Sequence, residues 1–218
     1  MKPIRILIAD DHDLMRRGIR TMLASNPSMD ICGEAKTGRE AVEEAEKLRP
    51  DIAILDIGMP DLNGVEAARR IRKASPGTEI LILSLHYSDQ LVREIVDAGV
   101  RGYIVKSDSD RDLLIAVETL AKHKPFFTPH ATEMILGSFN TGGPVKKIPE
   151  LISERLTSRE REIVQLLAEG KSSKEVASAL GISIKTAETH RANVMRKLEL
   201  HNVSELVRYA VRNQIIEA

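Results

Sequence analysis

The sequence predicts a two-part chain, in which an α/β domain with a doubly wound, five-stranded parallel sheet precedes an all-helical domain. Short apolar runs alternate with helically spaced apolar residues up to residue 122, and from residue 156 onward every signal is helical. Charge separates the same two parts: residues 1–121 hold 17 Lys and Arg against 21 Asp and Glu, whereas residues 122–218 hold 15 against 11. An acidic part and a basic part indicate two domains with different partners.

Short apolar runs are predicted to be the strands of the sheet. Their apolar character is typical of a parallel sheet that is covered by helices on both faces. Right-handed crossovers then give a doubly wound domain, for which 2-1-3-4-5 is one of the common strand orders. The predicted strands are Ile4–Ala9, Met29–Ala35, Asp51–Leu55, Glu79–Ser84 and Gly102–Val105.

A helix signal follows each predicted strand. Thr37, with Glu40 three residues later, is typical of a helix start, and Gly99 ends the helix predicted over residues 88–98. The apolar faces of the other four helices are carried by Met15, Ile19, Met22 and Leu23, by Ala41, Ala45 and Leu48, by Val65, Ala68 and Ile71, and by Leu113, Val117 and Leu120. The α/β domain is therefore predicted to be complete near Lys122, as domain 1–122.

Residues 123–155 are predicted to be an interdomain linker. Pro and Gly punctuate this segment, and only Thr132–Phe139 has the pattern of a short helix. The domain after it, residues 156–218, has four helix signals, three of which begin with Ser, Thr or Asn followed by Glu at capping-box spacing. These helices are predicted at about 158–169, 173–180, 184–199 and 203–213.

Composition argues against several classes of protein. No run of about 18 apolar residues is present, which argues against a transmembrane helix. The first residues form a poor signal peptide, because acidic residues follow a short apolar run. The single cysteine, Cys32, cannot form an internal disulfide, which argues against a disulfide-stapled secreted scaffold. We therefore expect a soluble cytoplasmic protein without membrane insertion.

Polar side chains follow the predicted strands at the edge where an open α/β sheet binds its ligands. Asp10 and Asp11 follow the first strand and Asp56 ends the third, so these carboxylates converge if the two strands are neighbours. Because the carboxylates repel one another, we expect a hard cation such as Mg2+ between them. Lys106 and Ser84, at two further strand ends, supply the positive charge and the hydroxyl that a phosphoryl group needs. A carboxylate in this setting can be the nucleophile that accepts the group.

Residues 4–121 resemble the receiver domain of two-component response regulators. The resemblance implies a flavodoxin-like fold with the strand order 2-1-3-4-5. The resemblance rests on the motifs IADDH at 8–12, LDIGMPDLNG at 55–64, LSLH at 83–86 and YIVKS at 103–107. It implies that a histidine kinase donates the phosphoryl group. It also implies roles for single residues: Asp56 as phosphoacceptor, Asp10, Asp11, Asp56 and the backbone carbonyl of Gly58 as Mg2+ ligands, Lys106 as the phosphate-pairing lysine, Ser84 as the switch hydroxyl and Tyr103 as the aromatic residue that changes rotamer.

The helical domain contains a predicted helix-turn-helix, formed by its second and third helices and a turn at 181–183. One outward face of the third helix offers groups for base edges, and the flanks of that face offer partners for phosphates. Lys185, Glu188 and Thr189 are expected to contact bases, since the N-terminal part of such a helix usually enters the groove. Thr186, His190, Arg196 and Lys197 are expected to contact phosphates, with Ser172 or Ser173 adding a helix N-terminus. Ala192 and Asn193 are the other candidate DNA contacts.

Leu156–Leu200 closely resembles the LuxR-type DNA-binding domain, and its union with a receiver resembles the NarL/FixJ class of response regulators. The resemblance implies a transcription factor that binds double-stranded DNA. It also implies that the last helix can support a homodimer on DNA. The apolar candidates for that contact are Val203, Leu206, Val207 and Ala210, for which packing inside the domain is at least an equal alternative.

Three functions are open at this point. The first is a response regulator whose phosphorylation at Asp56 switches dimerisation and sequence-specific DNA binding, and so transcription. The second is a DNA-binding regulator that works without phosphorylation and has a vestigial acidic pocket. The third is a Mg2+-dependent phosphatase with an aspartate nucleophile, which is disfavoured because Gly58 stands where a second Asp would serve as general acid. In the first case we expect no turnover enzyme, only self-phosphorylation and slow loss of the phosphoryl group at Asp56.

Overall fold

The computed structural model describes residues 2–85, 89–140 and 156–216. Its contacts divide the chain into two units, Met1–Leu136 and Gly137–Ala218. The first unit is α/β and the described part of the second is all-helical, so the predicted fold class is confirmed. Among the described residues, no helix is long and apolar enough to cross a lipid bilayer.

A six-stranded parallel sheet forms the centre of the first unit. Its strands are β1 (Ile4–Ala9), β2 (Met29–Ala35), β3 (Ile52–Asp56), β4 (Glu79–Ser84), β5 (Gly102–Val105) and β6 (Phe126–Phe127). The order is β2-β1-β3-β4-β5-β6, which confirms the predicted order of the first five strands. The predicted number of strands was wrong by one, because the two residues of β6 are too few to give an alternating pattern.

Helices connect the strands and continue after β6. They are α1 (Asp13–Ala24), α2 (Gly38–Leu48), α3 (Gly64–Ala74), α4 (Asp89–Asp97), α5 (Ser109–Leu120) and α6 (Pro129–Asn140). Both β6 and α6 fall in the segment that the sequence predicts as linker, and α6 contains the predicted short helix. Residues 141–155 of that segment lie outside the described residues. The predicted domain boundaries at residues 122 and 155 stay predictions.

Side chains of the central strands alternate between two apolar layers. Leu7 and Leu55 pack in the layer formed with α2, α3 and α4, whereas Ile8 and Ile54 pack in the layer formed with α1 and α5. All four side chains are fully buried. Both faces of the sheet are thus covered, and polar side chains collect at the edge formed by the carboxyl ends of the strands.

Two glycines hold the loop after β3 close to its neighbours. A Cβ atom on Gly64 would lie 2.2 Å from the carbonyl oxygen of Asp56, and one on Gly38 would lie 1.8 Å from that of Leu62. The amide of Gly64 also donates a hydrogen bond to the carbonyl of Ile57, at 3.1 Å. The loop that carries Asp56 is therefore packed back onto the first turn of α3.

The second unit consists, in its described part, of four helices around one small core. They are α7 (Ser158–Ala168), α8 (Ser173–Leu180), α9 (Ile184–Lys197) and α10 (Val203–Arg212), each within two residues of the prediction. The core is apolar, and its fully buried members include Ile163, Val164, Leu166, Val176, Val194, Leu206 and Ala210.

Capping boxes fix the starts of α7 and α8. The Ser172 hydroxyl accepts a hydrogen bond from the Glu175 amide at 3.3 Å, and the Glu175 carboxylate accepts one from the Ser172 amide at 2.8 Å. Thr157 and Glu160 make the same reciprocal pair before α7. Gly181 ends α8 in the left-handed conformation, with φ 63°, and so starts the turn into α9. The helix-turn-helix connection thus follows from local sequence.

Candidate functional site

The ends of β1 and β3 bring two carboxylates together. Ala9 pairs with Leu55 in the parallel register of these strands, so Asp10 and Asp56 follow side by side. Both aspartates are completely buried. Two buried carboxylates on neighbouring residues of adjacent strands repel each other, so they require a cation between them or beside them.

Lys106 is that cation within the chain. Its Nζ lies 3.0 Å from Oδ2 of Asp10 and 2.8 Å from Oδ1 of Asp56. Burial alone would lower the pKa of Lys106, but the charges and hydrogen bonds of Asp56 and Asp10 outweigh burial and raise this pKa above its ordinary value. Lys106 is therefore positively charged at neutral pH, between the two carboxylates.

Asp11 and His12 complete a cluster that can hold a metal ion. One ligand atom from each of Asp10, Asp11, His12 and Asp56 lies within 4.8 Å of the others. The His12 amide donates a hydrogen bond to Oδ1 of Asp10 at 2.8 Å, and the His12 Nδ1 lies 2.8 Å from Oδ1 of Asp11. Carboxylate oxygens are the ligands that a hard cation such as Mg2+ prefers, so the three aspartates fit such an ion.

Two further predicted residues lie at the same edge of the sheet. Ser84 is buried at the end of β4 and pairs in register with Val105, the residue before Lys106. Gly58 is half-buried in the loop after β3, two residues beyond Asp56. The structure thus gathers the predicted pocket residues on neighbouring elements. His86 of the LSLH motif lies outside the described residues.

Tyr103 lies inside the protein rather than at its surface. Its side chain is fully buried on β5, in the same apolar layer as Phe127. The two residues also face each other in the parallel pairing of β5 with β6. The residue that the receiver resemblance predicts to change rotamer is therefore buried in the core in this structure.

Helix α9 presents a polar outward face. Its inner side carries the buried Ala187 and Val194. The exposed candidates for DNA contact are Lys185, Thr186, Glu188, Thr189, Ala192, Asn193, Arg196 and, before α8, Ser172; His190 and Ser173 are half-buried. These side chains are available to a polyanion, as the predicted DNA interface requires.

Lys197 is partly withdrawn from this face. Its Nζ donates to Oε2 of Glu160 at 2.7 Å, and its side chain is 27% exposed. Partial burial acts to raise the pKa of Glu160, but hydrogen bonds from Lys197 and Thr157 lower it overall. This ion pair joins the end of α9 to the start of α7, so Lys197 has a role inside the unit, and its expected phosphate contact stays a prediction.

Two of the four apolar residues expected to support a dimer are buried inside the unit. Leu206 and Ala210 belong to its core, with 1% and 0% exposure. Val203 is exposed and Val207 is half-buried. Helical spacing places all four on one stripe of α10, because they are three, four and seven residues apart, and only Leu206 and Ala210 on that stripe pack into the core. For Leu206 and Ala210 the alternative of packing inside the domain is therefore the correct one.

Comparison with known proteins accounts for both units. Residues 6–118 match the model of the response regulator receiver domain, and residues 154–210 match that of the bacterial regulatory proteins of the luxR family. The chain belongs to the response regulators. This response regulator is 36% identical over 215 residues to the response regulator protein VraR of Staphylococcus saprophyticus, a match that covers 99% of the chain and 100% of VraR.

Solved structures of response regulators are similar as well. RcsB of Salmonella typhimurium, in a structure described by its conformational dynamism for DNA interaction, is 27% identical, with a TM-score of 0.66 over 98% of this chain and 99% of RcsB. A structure of RcsB in complex with DNA is 26% identical, with a TM-score of 0.57 over 95% of this chain and 98% of RcsB. This response regulator therefore combines a receiver with a LuxR-type DNA-binding domain.

Sequence reasoning missed two residues of the receiver pocket. His12 stands inside the IADDH motif, beside the acidic pair, and lies against both aspartates. Arg16 is 8% exposed, and its Nη1 donates a hydrogen bond to the carbonyl of Asp10 at 2.8 Å. A signal for Arg16 exists, because helical spacing places it with Ile19 and Leu23 on the inner face of α1.

Proposed function

We propose that this response regulator accepts a phosphoryl group on Asp56 from a histidine kinase, with Mg2+ bound beside it, and that phosphorylation switches homodimer formation and sequence-specific DNA binding. The observation that carries the proposal is the position of Lys106, 3.0 Å from Asp10 and 2.8 Å from Asp56. A buried lysine between a nucleophile and an acidic pair suits the binding of phosphoryl oxygens.

The chain's own residues supply the nucleophile and the charge. One carboxylate oxygen of Asp56 attacks phosphorus, the bond from phosphorus to the kinase histidine nitrogen breaks, and the imidazole leaves with that electron pair. Lys106 pairs with an oxygen of the transferred group. Asp10, Asp11, Asp56 and the Gly58 carbonyl would hold Mg2+, which would supply positive charge against the phosphoryl oxygens.

The phosphoryl group then acts as a ligand that favours one of two states of the receiver. Ser84, at the neighbouring strand end, is the hydroxyl that turns toward the new oxygens. Its movement changes the space beside Tyr103, which is buried on the next strand. Since Phe127 pairs with Tyr103, the chain that leaves the sheet is hydrogen-bonded to the strand that carries the switch residue. This pairing supports transmission from the pocket to the segment after the sheet.

In the DNA-binding domain, α9 is the proposed reader of the major groove. The exposure of Lys185, Glu188 and Thr189 on its first turns supports base contacts there. Two copies would bind half-sites about one helical turn apart. We assign residues 1–122 to the receiver, 123–155 to the linker and 156–218 to the DNA-binding domain. Such a protein acts in the cytoplasm, where DNA is, and turns over no substrate beyond the formation and slow loss of its own phosphoryl group.

The test is binding of the full chain to a randomised duplex DNA library, with and without Mg2+ and beryllofluoride, a mimic of the acyl phosphate. Light scattering on the same samples reports the mass. Asp56→Asn removes the acceptor, and Asp30→Asn, an exposed aspartate of the same domain, is the matched control. We expect dimers and tighter, sequence-selective binding with the mimic in the wild type and Asp30→Asn only.

Two other outcomes would contradict the proposal. Selective DNA binding that is the same with and without the mimic would support a regulator that works without phosphorylation. Steady hydrolysis of a small phosphate ester, lost in Asp56→Asn, would support the Mg2+-dependent phosphatase instead.

A further inference from the structure

We infer that Arg16 is a positioning residue of the phosphorylation pocket, which fixes the peptide group between the two acidic residues of the Mg2+ site. The inference rests on the proposed function, because it concerns the same pocket. It adds a residue that is not itself a candidate ligand: Arg16 belongs to α1 and bonds the backbone carbonyl of Asp10 rather than its carboxylate.

Arg16 holds the carbonyl group of Asp10. Its Nη1 donates to that oxygen at 2.8 Å, in a contact that is buried from solvent. The carbonyl belongs to the planar peptide that joins Asp10 to Asp11. A rotation of this plane would change the direction of both side chains at once, so one hydrogen bond restrains two candidate ligands.

Other contacts hold the remaining groups of Asp10. Its amide donates to the carbonyl of Ala35 at 3.2 Å, and its carboxylate accepts from the His12 amide at 2.8 Å. The Nζ of Lys106 forms an ion pair with the same carboxylate at 3.0 Å. Together with Arg16, these contacts restrain the residue at its nitrogen, its carbonyl and its side chain. Arg16 is the member that restrains the carbonyl.

The guanidinium group of Arg16 is itself fixed from two more directions. Its Nε donates to Oε2 of Glu34 at 3.0 Å, and its Nη2 contacts Oδ1 of Asp13. The planar fork of arginine can satisfy three acceptors in different directions, which the ammonium group of lysine does with less directional precision. Glu34 also pairs with Arg20, one turn further along α1.

Arg20 provides a matched control. It lies on the same helix and pairs with the same carboxylate, but its side chain is 53% exposed, and no hydrogen bond joins it to Asp10 among the described residues. A substitution at Arg20 therefore removes the same charge and one contact to Glu34 while leaving the Asp10 carbonyl bonded to Arg16.

The experiment measures Mg2+ binding by the full chain with titration calorimetry, and beryllofluoride binding by fluorine NMR. The variants are Arg16→Met, Arg16→Lys and Arg20→Met. Outer-shell partners of metal ligands typically contribute about 10- to 100-fold in metal affinity, so we expect a loss of that size for Arg16→Met. Arg20→Met should stay within about twofold of the wild type, because it leaves the positioning contact in place. Arg16→Lys should regain part of the affinity.

Urea unfolding of each variant separates positioning from stability. Wild-type Mg2+ affinity in folded Arg16→Met would overturn the inference. If Arg16→Met does not fold, Arg16→Lys decides: wild-type affinity in that variant overturns the inference, and a loss that Arg20→Met does not share supports it. If the wild type itself binds neither Mg2+ nor beryllofluoride, the proposed function fails, and the inference fails with it.

Discussion

The Nζ of Lys106 lies 2.8 Å from Oδ1 of Asp56, and both side chains are almost completely withdrawn from solvent. Removal of the cation would leave two buried carboxylates facing each other. We therefore expect Lys106→Met to lower the free energy of unfolding by about 3–5 kcal/mol in the absence of divalent cations. Mg2+ should restore part of this loss, because it brings positive charge to the same carboxylates. Urea unfolding of the full chain with and without Mg2+ measures both effects.

The control for this prediction is Lys122→Met, which removes an exposed lysine of the first unit. It should change the free energy of unfolding by less than about 0.5 kcal/mol. A Lys106→Met protein as stable as the wild type without Mg2+ would show that the buried ion pair contributes nothing net.

Gly64 and Gly18 should respond in opposite ways to the same added methyl group. A Cβ on Gly64 would meet the carbonyl oxygen of Asp56 at 2.2 Å, whereas one on Gly18, within α1, has no atom within 4 Å. We expect Gly64→Ala to destabilise the protein by about 1–3 kcal/mol, or more if the loop cannot move. Gly18→Ala should stabilise it by roughly 0.5–1 kcal/mol through helix propensity. Thermal unfolding of both variants checks the pair, and equal shifts would contradict the packing argument.

The Glu160–Lys197 pair predicts a pH dependence. The pKa of Glu160 is lowered in the folded protein, so its contribution is complete above the ordinary glutamate pKa of 4.5 and is lost as the pH falls through the lowered value. Glu160→Gln should destabilise the start of α7 by about 1 kcal/mol at neutral pH and by much less in strong acid.

Hydrogen exchange in peptides covering α7 measures this local effect across pH. Glu199→Gln, which removes an exposed carboxylate of the same unit, is the control. If Glu160→Gln and the wild type differed in exchange rate by the same amount at every pH, the stabilisation would not come from the ionised Glu160 carboxylate.

DNA binding should distinguish two neighbouring cations of α9. Arg196 is exposed, whereas Lys197 is paired with Glu160. If Arg196 contacts a phosphate, Arg196→Gln should reduce the slope of log K against log salt concentration by about 1. Lys197→Gln should change that slope less, since its charge is already compensated within the unit. Filter binding or fluorescence anisotropy over a range of salt concentrations measures the slopes. A larger change for Lys197→Gln would show that Lys197, and not Arg196, is the main phosphate contact.

Much of the pocket could be predicted because its residues stand at strand ends, and the carboxyl ends of parallel strands lie at the same edge of a sheet. Asp10 and Asp56 converge once β1 and β3 are known to be neighbours, as they are in the structure. Alternating apolar runs predict a doubly wound sheet, and the receiver resemblance supplies its strand order. Arg16 could not be found in the same way. Helical spacing places it on the inner face of α1, but no residue pattern indicates that it bonds a backbone carbonyl, and an arginine on a helix usually faces solvent.

The same contrast holds in the second unit. Capping residues such as Ser172 and Gly181 predict helix ends because the local sequence alone makes those contacts. Packing of one helix against the others is a tertiary property, so periodicity did not decide which side of α10 is buried. Leu206 and Val207 are adjacent and equally apolar, yet only Leu206 is in the core.

The shortness of β6 has a consequence for the solubility of the receiver. A parallel sheet that ended on β5 would present four residues of unpaired backbone to other chains. Instead, two of those residues pair with Phe126–Phe127, and Pro125 and Pro129 stand on either side, with no amide hydrogen to donate. A two-residue edge strand flanked by prolines is a poor template for the addition of a strand from another chain. Short edge strands and prolines are among the features by which natural sheets resist aggregation.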